Sequence, residues 1–180
     1  TWYTTDYPHI VFEDSPAGRL KKEVWEASIE EIDKILEEYE LPRESELGKA
    51  GCYIQNTPRH IAMAKRRKND VVLIPIGTTE NHGMHNPSGL DTYMVTQICE
   101  GVRRYTAKKG FEVSLALPPL NYGGHPYHHV AMPGTYMVTE EVVRETLIYM
   151  MLGLWDDGYR KFILVNNHGH KWMLESAVQE

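Results

Sequence analysis

Three short apolar runs separated by helix-length segments constrain this 180-residue chain more than any other feature. Val71-Val72-Leu73-Ile74-Pro75-Ile76, Val113-Ser114-Leu115-Ala116-Leu117 and Phe162-Ile163-Leu164-Val165 are near-continuously apolar, the pattern of strands buried on both faces. Between the first two, a helix from about Asp91 to Lys108 carries Val95, Ile98, Val102 and Tyr105. Between the last two, Thr139 caps a helix with Glu140 and Glu141 in its first turn, and Gly158 ends it. From Trp172 onward the pattern is helical again. Strands alternating with helices imply an α/β fold, a mainly parallel sheet flanked by helices in three layers.

The first third is different. Residues 1–14 lack periodicity and are expected to form an extended arm. Ser15-Pro16 is a helix start, and Trp25, Ile29, Ile32, Leu36 and Tyr39 then place one apolar stripe on a single helix that ends at Leu41-Pro42. Thr57-Pro58 repeats the start signal before Ile61, Met63 and Ala64, and the cations Lys65-Arg66-Arg67-Lys68 suit the C-terminus of that second helix. These signals divide the chain into an N-terminal arm and amphipathic helix (1–55) and an α/β domain (56–180). Glu180 falls inside the last helical pattern, so the domain is expected to lack its C-terminal part.

Composition excludes several function classes. Nineteen Lys and Arg against 25 Asp and Glu give a net charge of −6, and no long basic run is present, which argues against nucleic-acid binding. No apolar stretch approaches the ~18 residues that span a bilayer, and no secretory leader pattern opens the chain. Two cysteines cannot build a disulfide framework or a cysteine-based zinc site, so a cytoplasmic home is expected. No G-x-G-x-x-G follows a strand, which disfavours a nicotinamide enzyme.

The nine histidines are unevenly placed, with seven from His82 onward. In open parallel sheets, ligands bind at the carboxyl ends of the strands, and two polar clusters leave strands there. One runs from Gly77 through Glu80, His82 and His85 to Asp91; the other is Asn166-Asn167-His168-Gly169-His170. Glu80 and His82 are two apart, as are His168 and His170, so each pair shares a side of an extended segment. Gly83, Pro87 and Gly89 let the first loop fold back and return Asp91 to Glu80. Imidazoles with two carboxylates suit Zn²⁺ or Mn²⁺, and this many donors fit a two-metal site bridged by a carboxylate. Asp91 is also placed to cap the following helix, and His85 to bond a loop carbonyl.

These residues also carry a resemblance. Ile74-Pro75-Ile76-Gly77-Thr78-Thr79-Glu80-Asn81-His82-Gly83-Met84-His85, continuing to Asp91, resembles the metal-binding signature of the creatininase family of metal-dependent hydrolases. Tyr122-Gly123, His129 and Met132-Pro133-Gly134-Thr135 are similar to its second motif, and Val165-Asn166-Asn167-His168-Gly169 to its third. The resemblance implies Glu80, His82, Asp91 and His168 as ligands of two divalent ions, with Asp91 bridging. His170 stands where creatininase has a ligating glutamate and is counted with them. Asn167 and Lys171 depart from the usual Gly and Asn, and the loop from Tyr122 to His129 is longer, which points away from creatinine as substrate. The long N-terminal extension resembles the branch that hydrolyses keto-inositols. The family also implies a homo-hexamer and catalytic groups C-terminal of the third motif.

The expected activity is therefore metal-assisted ring opening of a small polar cyclic substrate, such as a 3-dehydro-scyllo-inosose-like keto-inositol cleaved at a C–C bond. His129, His128 and Tyr122 are the candidate proton donors or substrate contacts. A cyclic amide is the alternative substrate. A metal-loaded but non-catalytic subunit is an alternative of another class, while a structural zinc site is disfavoured by the carboxylate-rich set.

Overall fold

Alternation along one strand builds the core from both sides. The computed structural model describes residues 2–4, 11–41, 53–55, 57–116, 118–124, 129 and 131–180. In chain order its elements are β1 (Trp2–Thr4), β2 (Val11–Glu13), α1 (Pro16–Glu26), α2 (Ile29–Glu38), α3 (Arg59–Lys68), β3 (Val71–Ile76), α4 (Leu90–Lys108), β4 (Ser114–Leu115), α5 (Glu140–Asp156), β5 (Lys161–Asn166) and α6 (Lys171–Gln179). Strands β4, β3 and β5 form one parallel sheet in that order, with Val72 opposite both Ser114 and Phe162. On one face, Val72, Ile74 and Ile76 pack with Val143, Leu147 and Leu154 of α5 and Met173, Leu174 and Ala177 of α6. On the other, Leu73 packs with Val95 and Cys99 of α4, together with Tyr53, Val113 and Leu115. This is the three-layer α/β arrangement the sequence predicts.

Strand order fixes where a ligand can sit. The chain leaves β3 through α4 to reach β4, then crosses through α5 to the far edge at β5. The segment after β3 thus leads to one face and the segment after β5 to the other. Their divergence opens a crevice at the carboxyl ends of two adjacent strands, a topological switch point.

The molecule divides into two compact units, Thr1–Glu40 and Leu41–Glu180. In the first, β1 and β2 pair antiparallel, with Tyr3 opposite Phe12, where the sequence suggests an extended arm. The single helix expected from Ser15 to Leu41 is two helices. Ser28 restarts the chain with a capping box: its hydroxyl accepts from the Glu31 N–H and the Glu31 carboxylate accepts from its own N–H at 2.7 Å. In the second unit, α3 starts with Pro58 itself at the cap position and no side-chain cap, so Thr57 does not serve as one. The cations at the end of α3 find acids elsewhere, Lys65 on Glu112 at 2.8 Å and Arg66 on Asp157 at 3.1 Å.

Helix α4 departs most from expectation. Val95 is buried, but Ile98, Val102 and Tyr105 are 40–58 % exposed, and the buried face carries Thr92, Thr96, Cys99, Glu100, Arg103 and Thr106. The polar side chains are satisfied by one another. Arg103 places two nitrogens 2.6–2.7 Å from the Glu100 carboxylate and a third on Glu112, Arg104 adds a bond at 2.9 Å, and the Tyr53 hydroxyl donates to Glu100 at 3.1 Å. Burial pushes the Glu100 carboxyl up, but the bonds from Arg103 and Arg104 outweigh it and hold it below the ordinary value. Glu112 is held low in the same way by Lys65 and Arg103, against the opposing effect of burial. No helix among the described residues is long and apolar enough to cross a membrane.

Two stability predictions follow from this packing. Leu147 is fully buried between sheet and helices, so Leu147→Ala should cost about 2–5 kcal/mol in denaturant unfolding. Because Glu100 and Glu112 are held low, the stability they add is complete above the ordinary carboxylate value and is lost as pH falls through their folded values. Thermal unfolding followed against pH should show this acid loss, and Glu100→Gln should flatten it while lowering stability at neutral pH by about 3 kcal/mol.

Candidate metal centre

The loop after β3 is shaped by backbone closure before any side chain acts. The Glu80 N–H donates to the Ser88 carbonyl at 2.9 Å, folding the intervening residues back so that Asp91 re-enters beside Glu80. Gly83 takes a φ of +90°, which L side chains rarely adopt, and its N–H donates to the Asn81 side chain. Asn81 also ties the loop to residues 133–135: its N–H donates to the Thr135 hydroxyl at 2.9 Å and its amide to the Pro133 carbonyl at 2.7 Å. The helix begins with Gly89 at the cap, leaving the buried Asp91 in the first turn with its carboxylate turned to histidines.

Four of the expected ligands converge. The Asp91 Oδ1 lies 3.4 Å from His82 Nε2, and its Oδ2 lies 3.2 Å from His168 Nδ1. Glu80 Oε1 is 3.5 Å from the first of these nitrogens and 3.2 Å from the second. Glu80, Asp91 and His168 each offer a donor atom within 4.8 Å of the others.

Both imidazoles are oriented by backbone carbonyls. His82 Nδ1 lies 3.0 Å from the Glu80 carbonyl, and His168 Nε2 lies 3.0 Å from the Gly124 carbonyl. A carbonyl oxygen can only accept, so each of these nitrogens carries the proton. In the neutral form of each ring the lone pair is then on the nitrogen that faces the carboxylates, as a metal ligand requires. For His168, burial disfavours the charged form, but the Asp91 bond, the Gly124 carbonyl and the charges of Glu80 and Asp91 together raise its pKa above the ordinary value. The carboxylates thus draw a cation to this position. Two oxygens of one aspartate, each facing a different imidazole, with a second carboxylate beside them, form a donor set suited to a borderline or hard divalent metal.

Around the converging side chains lies a layer the sequence did not disclose. Asn166 brackets His168, its amide donating to the His168 carbonyl at 2.5 Å and its oxygen accepting from the His168 N–H. The Asn167 amide donates to the Asp91 carbonyl at 3.3 Å, joining the two loops. Thr92 donates to the Asn121 side chain at 2.7 Å. The Asn-Asn pair before His168 was visible as a motif; the Gly124 carbonyl could not be, because a backbone acceptor leaves no mark of its own.

The remaining expected residues are distributed differently. His129 is half-buried, with Nδ1 3.3 Å from Glu80 Oε2. Tyr122 is exposed on the segment after β4. His128 lies outside the described residues. His85 is exposed. His170 is fully buried, and its ring stands edge-on to that of His168 with centroids 4.6 Å apart; it is not part of the three-residue donor group.

Comparison with known proteins gives this site a family. The model described as creatinine amidohydrolase, Creatininase, matches residues 56–180. A 3-dehydro-scyllo-inosose hydrolase from Thermotoga maritima is 38% identical over 130 residues, covering 72% of this chain and 40% of that protein. A mycofactocin precursor peptide peptidase from Mycobacterium ulcerans is 31% identical over 106 residues, covering 54% and 40%. The chain spans about two fifths of the length of these curated relatives. Among solved structures, "Creatininase Mn" superposes with a TM-score of 0.61 at 19% identity, covering 72% of this chain and 51% of that one. A mutant creatininase of "Zn-Zn type" gives 0.63 at 21%, covering 72% and 50%. The structures establish a shared fold, and the family model reaches across the sheet, both loops that carry the converging side chains and the helices between them. The chain belongs to the creatininase family.

Proposed function

We propose that this chain carries the two-metal site of a hydrolase that opens the ring of a small polar cyclic compound, a keto-inositol of the 3-dehydro-scyllo-inosose type. The observation that carries this reading is the Asp91 carboxylate, whose oxygens face His82 and His168 on opposite sides. Glu80, His82, Asp91 and His168 would hold the ions between them, with Glu80, Asp91 and His168 offering the tightest group of donors. The Zn–Zn and Mn forms named among the creatininase structures support either metal here, and the inosose hydrolase relative supports the substrate.

Two bound divalent ions would lower the pKa of a shared water and polarise a substrate carbonyl. The chain's own groups supply the rest. Asp91 and Glu80 would offset two of the four positive charges of the ions, while neutral His82 and His168 keep their lone pairs inward. In ring opening, oxygen from water joins the carbonyl carbon, the bond from that carbon to its ring neighbour breaks, and the neighbour departs with the electron pair as an enolate. That carbon then takes a proton, so the net change is addition of one water. His129, 3.3 Å from Glu80, would deliver the proton, with Tyr122 as a substrate contact. A second reading is favoured by the family's description and by the peptidase relative: in a cyclic amide the leaving atom is nitrogen, and the same proton delivery completes the step.

Elemental analysis of protein purified without a metal-affinity tag should find close to two equivalents of Zn or Mn, about the number two-metal hydrolases hold. His82→Ala and His168→Ala should each lose metal and turnover together, and turnover retained without metal would end the assignment. His129→Ala should keep its metal and lower kcat by about 10²- to 10⁴-fold. Ring opening of 3-dehydro-scyllo-inosose but not creatinine separates the keto-inositol reading from the amide one; metal without turnover of either leaves a non-catalytic metal-binding subunit.

A further inference from the structure

Asn81 stands between Glu80 and His82 and turns to different partners. Glu80 and His82 face each other across 3.5 Å, beside Asp91. The Asn81 Nδ2 instead donates to the Pro133 carbonyl at 2.7 Å, and its Oδ1 accepts from the Gly83 N–H at 2.9 Å. Its own N–H donates to the Thr135 hydroxyl at 2.9 Å. Two neighbours complete the contact. The Tyr136 N–H donates to the Thr79 carbonyl at 3.0 Å, and Gly134, at a φ of +85°, lies where a Cβ would meet the Ser88 hydroxyl. Residues 133–136 are thus moulded on the loop that bears Glu80 and His82.

The moulded segment leads back to His129. The Thr135 N–H donates to the Met132 carbonyl at 3.1 Å, and the Met132 N–H to the His129 carbonyl at 3.2 Å. Between His129 and Met132, Ala131 has a φ of +65°, the left-handed region that a Cβ disfavours. Such a residue persists only where its surroundings over-determine the backbone. The contacts of residues 133–136 with Thr79, Asn81 and Ser88 supply that constraint. Its outcome is the position of the His129 ring. Oε1 of Glu80 lies against His82 and His168, while Oε2 lies 3.3 Å from His129 Nδ1.

We propose that Asn81, with Thr135 as its counterpart, is a positioning residue: a latch that holds the 129–135 turn on the Glu80–His82 loop and so fixes His129 against Glu80. The residue between two ligand candidates thereby couples the motif that would bind the ions to the motif that would meet the substrate. The consequence for turnover rests on the reading of His129 as proton donor; the latch itself concerns the metal-free protein as well.

The test breaks the latch from the side that lies outside the Glu80–His82 loop. Thr135→Val removes the acceptor of the Asn81 N–H, and Thr135→Ser keeps it. The first readout needs neither metal nor substrate: carbon relaxation of the histidine ring Cε1–H groups in metal-free protein. The His129 ring should be ordered in the parent and in Thr135→Ser and mobile in Thr135→Val. The His82 ring, whose Nδ1 is held by the Glu80 carbonyl, should stay ordered in all three. The second readout is turnover of 3-dehydro-scyllo-inosose by the Zn²⁺-loaded protein. Thr135→Val should keep the parent's metal content and KM and lower kcat by about 10²-fold, the scale of an ångström's misplacement. Once His129→Ala is in place, it should cost nothing more. Asn81→Asp replaces the donor to Pro133 by an acceptor, keeps the oxygen that Gly83 needs, and should behave as Thr135→Val does. It decides the matter if Thr135→Val does not fold. An ordered His129 ring in Thr135→Val, His82 and His129 loosened together, or a kcat loss that adds to that of His129→Ala would overturn the proposal. If the parent turns over no substrate, the ring-opening reading fails, while the ring relaxation still decides the latch.

Discussion

The central position of β3 is the constraint on which the rest depends. With β4 on one side and β5 on the other, all its hydrogen-bonding edges are used, and its side chains divide between two cores. Because α4 leaves it toward one face and α6 leaves β5 toward the other, the carboxyl ends of β3 and β5 are adjacent while their continuations separate. A glutamate, an aspartate and two histidines can therefore meet there although 88 residues separate Glu80 from His168 in sequence. Packing around β3 supplies the rigidity, and the loops supply the chemistry.

Gathering two carboxylates in a half-buried crevice costs free energy unless positive charge compensates them. The surroundings are organised around that cost. Each imidazole is held by a carbonyl so that, when neutral, it accepts at its inner nitrogen. Asn167 joins the loops that carry Asp91 and His168, and Asn81 ties the first of them to residues 133–135. Little of this would be needed to stabilise the fold, which has two well-filled hydrophobic clusters of its own. The arrangement is that of a site prepared for a cation.

Much of this was legible in the sequence because the relevant signals are local. Continuous apolar runs gave the strands, Thr139 and Gly158 gave the ends of α5, and the spacing Glu80-x-His82 with Asp91 beyond two glycines gave the ligand loop. Three things were not legible. The break between α1 and α2 depends on Ser28 and Glu31, a capping pair overshadowed by an uninterrupted apolar stripe. The orientation of α4 was hidden because periodic apolar residues normally mark the inner face, whereas here buried Glu100 and Arg103 neutralise each other and occupy it. The placement of His170 depends on Gly123, 47 residues earlier, and no spacing rule connects a histidine to an absent side chain.

The inverted helix has a practical corollary. On most amphipathic helices the apolar residues are those a protein engineer must leave alone; on α4, Met94, Ile98, Val102 and Tyr105 are 40–58 % exposed among the described residues. Their polar replacement is a route to better colloidal behaviour at high concentration without thinning the core. Conversely, a hydrophobic substitution at Glu100, conservative by the usual reading of a buried position, would take from two guanidinium groups the carboxylate they share and do the greater harm.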